Sequence, residues 1–185
     1  MNKILVEVSV GELLDKISIL EIKQGKIKDP EKLKFINIEH DILKDQLDNN
    51  VKSDEKIEEL FQSLKEINAK LWVIEDDKRQ CEKEKDFTEK FIKLSRDVHF
   101  LNDDRAKIKL EMNNLTGSKI KEINIKLWVI EDDKRQCEKE KNFTEKFIKL
   151  SRDVHFLNDD RAKIKLEINN YTGSKIKEIK EYTIY

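Results

Sequence analysis

Residues 67–122 are followed at once by a second version of themselves. Residues 123–178 repeat them at a period of 56, with 52 of 56 positions identical. The four differences are Ala69/Ile125, Asp86/Asn142, Met112/Ile168 and Leu115/Tyr171. A chain written this way must either use one structural unit twice or accommodate a second one beside the first.

The unit reads as a helical hairpin. In its second half Phe91, Leu94, Val98, Leu101, Ile108, Met112 and Leu115 step by fours and threes, with Arg105 in one slot of the series. That is a heptad-like stripe along a helix of about eight turns. Asp86, with Glu89 three residues on, supplies a start signal. Asn142 keeps that capability in the second copy, and Gly117 fits a left-handed stop. The preceding helix carries Ile57, Leu60, Leu64, Ile67, Leu71, Ile74 and Cys81. Only Glu84-Lys85-Asp86 separates the two, so they must fold back antiparallel. In the second copy the first helix is expected to start at Ser118 and to carry Ile120, Ile123, Leu127, Ile130 and Cys137.

Two copies are few for a solenoid, which needs more units to bury a continuous core. Removing one copy leaves 129 residues, a sensible single domain. If such a shorter chain dimerised through its hairpin, a second copy in the same chain could take the partner's place. The expected organisation is a helical bundle over 1–122 (a short strand and four helices), a second hairpin over 123–178 and a tail over 179–185. The fold class is mainly α, with antiparallel helical hairpins forming an elongated bundle and a short β ribbon at the termini.

Composition agrees. Charged residues make up 42% and hydrophobic residues 37%, with one Pro and four Gly, which suits long amphipathic helices rather than disorder. The formal net charge of −1 and lysines interleaved with acids give no arranged basic face, so nucleic acid is not an expected partner. No apolar run is long enough for a membrane span or a signal peptide, and the compartment is read as cytoplasmic. Cys81 and Cys137 are one position in two copies and fall on the apolar stripe, as buried inert thiols.

The N-terminal third follows ordinary rules. Residues 3–8 alternate in polarity and read as a strand; residues 182–185 are the other β-like stretch, and the two could pair as a ribbon. Ser9-Val10-Gly11-Glu12 is a capping box. Leu13, Leu14, Ile17, Leu20 and Ile27 face inward from the helix that follows, with Asp15, Lys16 and Lys23 outward and Glu21 either half-buried against a basic partner or at the edge of the apolar face, reaching water. Asp29-Pro30 opens a second helix with Leu33, Ile36, Leu43 and Leu47 on its face; His40 reads as a surface residue. A third helix starts at Ser53-Asp54-Glu55 and runs to Glu84.

The polar groups that invite a functional reading lie in the repeat. Residues 1–66 contain no arginine, whereas Arg79, Arg96 and Arg105 recur as Arg135, Arg152 and Arg161. In a lysine-rich chain an arginine marks a need for the planar, bidentate fork. One candidate need is structural: folding the hairpin about Lys85 brings Glu75 toward Arg96 and Glu66 toward Arg105, and Arg79 can pair with Glu75. Arg105, inside the apolar stripe, requires an acidic partner. The other candidate need is a carboxylate or phosphate ligand. Ser95, His99, Asn102 and Asp103 share one helix face, and the spacing lets Asp103 orient His99 as an acid–base pair; His155 and Asp159 repeat it. Trp72 and Trp128 are the only tryptophans and read as interface residues. No phosphate loop, zinc spacing, calcium loop or nucleophile elbow occurs, so neither a metal nor a cofactor is expected.

The run from Ile4 through Val8-Ser9-Val10-Gly11-Glu12-Leu13-Leu14-Asp15-Lys16-Ile17, then Leu71-Trp72-Val73-Ile74-Glu75-Asp76-Asp77, then Asn102-Asp103-Asp104-Arg105-Ala106 and a Lys-Glu-Tyr ending, resembles an uncharacterised bacterial family of short helical proteins with a domain of unknown function. The resemblance covers nearly the whole chain, counting one copy of the repeat; the second hairpin departs from the family's pattern. It implies a link with cell-surface polysaccharide and glycosyl-transfer gene neighbourhoods. Arg96 and Asp103-Asp104-Arg105-Ala106-Lys107-Ile108 are also similar to the arginine-bearing helix of the helical chorismate mutases, which implies a grip on dicarboxylates.

Two expectations follow. The first is an interaction or scaffold protein whose partner is itself or another helical protein, joined through the hairpin. The second is a small helical enzyme or anion-binding protein, with the arginines as ligand contacts and His99/Asp103 and His155/Asp159 as catalytic pairs. They separate on one point, whether the arginines meet carboxylates inside the bundle or converge with His99 on a cleft.

Overall fold

The computed structural model describes residues 6–119 and 128–171, without the side chains of 128–131 and of Arg161. Among these residues there are six helices: α1 (Val10–Lys26), α2 (Pro30–Asn50), α3 (Glu55–Glu84), α4 (Glu89–Leu115), α5 (Trp128–Lys139) and α6 (Glu145–Tyr171).

Their starts are local. The Ser9 hydroxyl accepts from Glu12 N–H at 3.2 Å, and Asp29 accepts from the N–H groups of Glu31 and Lys32 with Pro30 at the first position. Asp54 accepts from Ile57 N–H at 2.9 Å. Each gives an oxygen to a donor the helix itself cannot satisfy.

The hairpin turns are set by left-handed residues. Lys85 (φ 57°) and its counterpart Lys141 (φ 51°) end α3 and α5, with Asp86 N–H returning to Cys81 C=O and Asn142 N–H to Cys137 C=O, both at 2.9 Å. This is the six-to-one closure normally made with glycine. It changes the expected start of α4. The backbone of Asp86 closes α3, so α4 begins two residues later with Thr88 as its cap. The Asp86 carboxylate instead accepts from Thr88 N–H (3.2 Å) and Thr88 Oγ1 (2.6 Å). Gly117 stops α4 in the left-handed region (φ 64°), as its sequence position indicated. Residues 120–127, where the second copy's first helix was expected to rise from Ser118, lie outside the described residues.

No strand occurs among the described residues. Val6–Val8 belong to no regular element, and the remainder of the expected ribbon, residues 3–5 and 182–185, lies outside them.

Helices α3 and α4 pack antiparallel, as do α5 and α6, while α1 lies against α2, α3 and α4 together. One core joins Leu14 to Ile57, Leu60, Leu64 and Met112; a second joins Leu20, Ile27 and Ile36. A helix with three neighbours buries more of its circumference than one apolar stripe. That corrects two outward assignments: Asp15 and Lys23 are both buried. Glu21 is half-buried and paired with Lys65 Nζ at 2.6 Å rather than left to water. His40 is likewise half-buried, its Nε2 3.8 Å from Glu21. Lys16, exposed as expected, reaches Glu39 at 3.0 Å. Both cysteines are buried free thiols.

Candidate functional site: a polar seam between the hairpins

Each arginine whose side chain is described meets a carboxylate. Arg96 grips Glu138 through Nε (2.8 Å) and Nη2 (2.5 Å) and lies 4.5 Å from the Phe143 ring centroid. Arg152 grips Glu82 at 2.8 and 2.6 Å and lies 4.6 Å from the Phe87 ring. These are one set of contacts with the copies exchanged, since every member is displaced by 56 positions. The exchange extends further. Arg135 Nη2 reaches Asp103 at 3.0 Å, and Arg79 Nη2 lies 3.8 Å from Asp159. In each case residue i of one copy meets j of the other while j meets i, the signature of a twofold, isologous interface. Bidentate Arg–carboxylate pairs also fix the angle between the helices that carry them.

This geometry corrects the expected pairings. Glu75 does not hold Arg96, whose partner comes from the other copy. Glu66 does not hold Arg105, whose partner is Asp15 on α1, met through Nε (2.8 Å) and Nη2. Arg79 hydrogen-bonds Asp76 rather than Glu75. A hairpin register can place partners within one hairpin, but not those supplied by a neighbour.

The two histidines sit in the same seam. His99 lies 3.7 Å from Asp103, and His155 lies 3.7 Å from Asp159 and 3.3 Å from Glu75 across the hairpins. The spacing is the one anticipated, although 3.7 Å exceeds a formed hydrogen bond. Buried lysines Lys78 and Lys134 occupy equivalent positions. So do Ser95 and Ser151, whose buried hydroxyls have no hydrogen-bond partner. Trp72 is half-buried on α3. The side chains of Trp128 and Arg161 lie outside the described residues.

Burial alone would raise the pKa of Glu75, but the positive charges of Lys78, His155 and Arg79 and the hydrogen bond from His155 outweigh it, bringing it from 4.5 to about 2. A folded pKa below the unfolded one stabilises the fold fully above the unfolded value and loses that contribution as pH falls through the folded value. The seam is therefore expected to weaken between about pH 4.5 and 2. Acid titration of thermal stability should show a shallower slope in that window for Glu75→Gln, and an unchanged slope would mean the charge is not coupled to folding.

Sequence reasoning missed a second polar cluster, between α1 and the first hairpin. Asp15 accepts from Arg105 and from Asn68 Nδ2 (2.9 Å), Asn68 also donates to Ser18 (2.8 Å), Lys109 Nζ reaches Glu12 (2.6 Å), and Gly11 N–H donates to Asn113 Oδ1 at 2.7 Å. Arg105 in the apolar stripe was the one legible signal for it. Burial would raise the pKa of Asp15, but Arg105 foremost, with Asn68 and Lys109, holds it below the ordinary value.

Chemically, both clusters pair cations with anions and leave little for a ligand. No group of three or more metal-ligating side chains is found among the described residues. Of two concavities, one touches the seam at Arg152 and the other lies outside it. One of about 650 Å³ is lined by residues of α6, including Lys149 and Arg152; one of about 630 Å³ is lined by Ala69, Val73, Ile74, Phe100 and Leu101 between α3 and α4. No described helix is long and apolar enough to cross a membrane.

No curated protein and no solved structure matches the chain significantly. A family model does match, over residues 4–121, ending within a residue of the end of the first copy of the repeat. Since that match spans more than half of the chain, the protein belongs to the family of unknown function DUF6165.

Proposed function

We propose that this chain is a helical protein–protein interaction or scaffold protein that self-associates through its hairpin, and that the second copy occupies, within one chain, the place of a partner's hairpin. The observation that carries this reading is the exchange symmetry of the seam: Arg96–Glu138 with Arg152–Glu82, and Arg135–Asp103 with Arg79–Asp159. A unit that meets its own copy through reciprocal pairs has a self-complementary surface, the requirement for a twofold homodimer. The alternative, an anion-binding or catalytic helical protein connected with cell-surface polysaccharide metabolism, needs arginines turned toward a cleft. It draws less support, because the described arginines face carboxylates.

Light scattering on a sizing column tests the proposal. The full chain is expected to be a monomer, and a variant lacking residues 123–178 a dimer of 129-residue chains with helical circular dichroism retained. A folded monomer for the short variant would overturn it.

A further inference from the structure

The first hairpin meets α1 through Ile57, Leu60, Leu64 and Met112, and the second hairpin through Glu82, Arg96 and Asp103. A third part of its surface is open. Ala69, Val73 and Ile74 of α3 and Phe100 and Leu101 of α4 line a groove of about 630 Å³. Val73 is 51% exposed and Phe100 46%. The Phe100 ring stands edge-on to His99, with centroids 5.7 Å apart, and both walls are helices packed on each other, so the groove is formed before anything enters it. Its two charged residues have opposite signs and stand on opposite walls, Lys70 on α3 and Asp97 on α4. Arg96, bound to Glu138, feels the charge of Asp97, but neither groove residue makes a salt bridge among the described residues. The two copies of the repeat differ at four positions, and one of these lies in the lining: Ala69 becomes Ile125.

We propose that this groove docks an amphipathic helix of another protein. A helix suits walls made of helices, whose backbone groups are already paired with one another and offer nothing to an extended strand. The lining runs five steps along α3, from Ala69 to Ile74, or about 7.5 Å. It therefore takes two apolar side chains one turn apart, at i and i+4. An acid on one flank of that pair faces Lys70, and a base on the other flank faces Asp97. Reversing the helix would exchange its flanks and set like charges together, so the two charges fix its direction. Alanine at position 69 keeps the floor low, whereas isoleucine there would take up part of the space. The choice of another protein rests on the full chain being a monomer; the groove itself shares no residue with the ion pairs of the seam. The mass of the shortened chain reads the seam and peptide binding reads the groove, so the two proposals fail separately.

The probe is a phage-displayed library of helical peptides about 18 residues long, selected on the full chain. Enriched peptides are expected to share two apolar residues at i and i+4, with an acid on one flank and a base on the other. Fluorescence anisotropy of one such peptide, labelled, should show saturable binding, weakened at least about tenfold by Ala69→Ile and by Val73→Asp in the chain. Both variants are expected to keep the parent's thermal unfolding, since the isoleucine extends into the groove and Val73 is exposed. A charge exchange guards against misfolding: Lys70→Glu should weaken binding about threefold, and changing the peptide's acid to lysine should restore it. An absence of enriched sequences, or enriched sequences without the shared pattern, overturns the proposal. So does binding indifferent to the groove substitutions, and so does failure of the charge exchange. A full-chain dimer that Ala69→Ile returns to monomer also overturns it, because a second copy would then be the occupant.

Discussion

Replacing Asp15 with Asn is expected to destabilise the chain by about 3–5 kcal/mol, the usual result of removing one partner from a buried ion pair. The Asp15 side chain is 2% exposed, and its two oxygens serve Arg105 and Asn68. Asparagine keeps the shape but leaves the Arg105 guanidinium facing a neutral amide, with an extra N–H₂ beside Asn68 Nδ2. Arg105 is 27% exposed, and water can recover part of the loss, which favours the lower end of the range. Urea unfolding should show a reduced midpoint with an unchanged slope. A loss below about 1 kcal/mol would place the pair with ordinary surface salt bridges. Asp15→Leu combined with Arg105→Met should recover much of the stability, since buried pairs gain little over apolar packing of similar volume.

Gly11→Val should act on the same contact from the other side. The first side-chain carbon at position 11 meets the Lys109 carbonyl oxygen at 2.5 Å and its carbonyl carbon at 3.0 Å, both backbone atoms that cannot rotate away. Helix α1 must then move off α4. Overpacking of this kind costs about 1–3 kcal/mol, and losing the buried bond from Gly11 N–H to Asn113 adds about 1–3 kcal/mol. Amide hydrogen exchange tells local from global effects. Protection should fall in α1 and in the part of α4 beneath it, and remain in α6. Gly11→Ala should reproduce the direction with a smaller loss, and an Ala variant as stable as the parent would mean that α1 and α4 do not approach so closely.

Much of the local structure was legible in the residues. Ser9, Asp29-Pro30 and Asp54 announce helix starts because an oxygen at a cap meets a need of the adjacent backbone, and Gly117 announces a stop because its φ is positive. The four-and-three spacing along α4 and the three-residue gap at 84–86 made a hairpin the only compact option. Misreadings arose where a group had two uses. Asp86 carries good cap chemistry, but its N–H closes α3, and α4 yields two residues. Asp15 stands beside inward-facing Leu14 on a helix assumed to have one covered face; three neighbours cover it instead.

The sequence by itself determined the hairpin, its near-exact recurrence, the burial of Cys81 and Cys137, and that Arg105 needs an acid. These follow from neighbours in the chain, where helix period and cap chemistry act over a turn or two. Which acid each arginine meets was decided only in the tertiary structure. Asp15 lies 90 positions from Arg105, Glu138 lies 42 from Arg96, and Glu82 lies 70 from Arg152. With 39 acidic residues in the chain, spacing cannot select among them. The selection comes from how whole helices pack, and from a hairpin meeting its own copy.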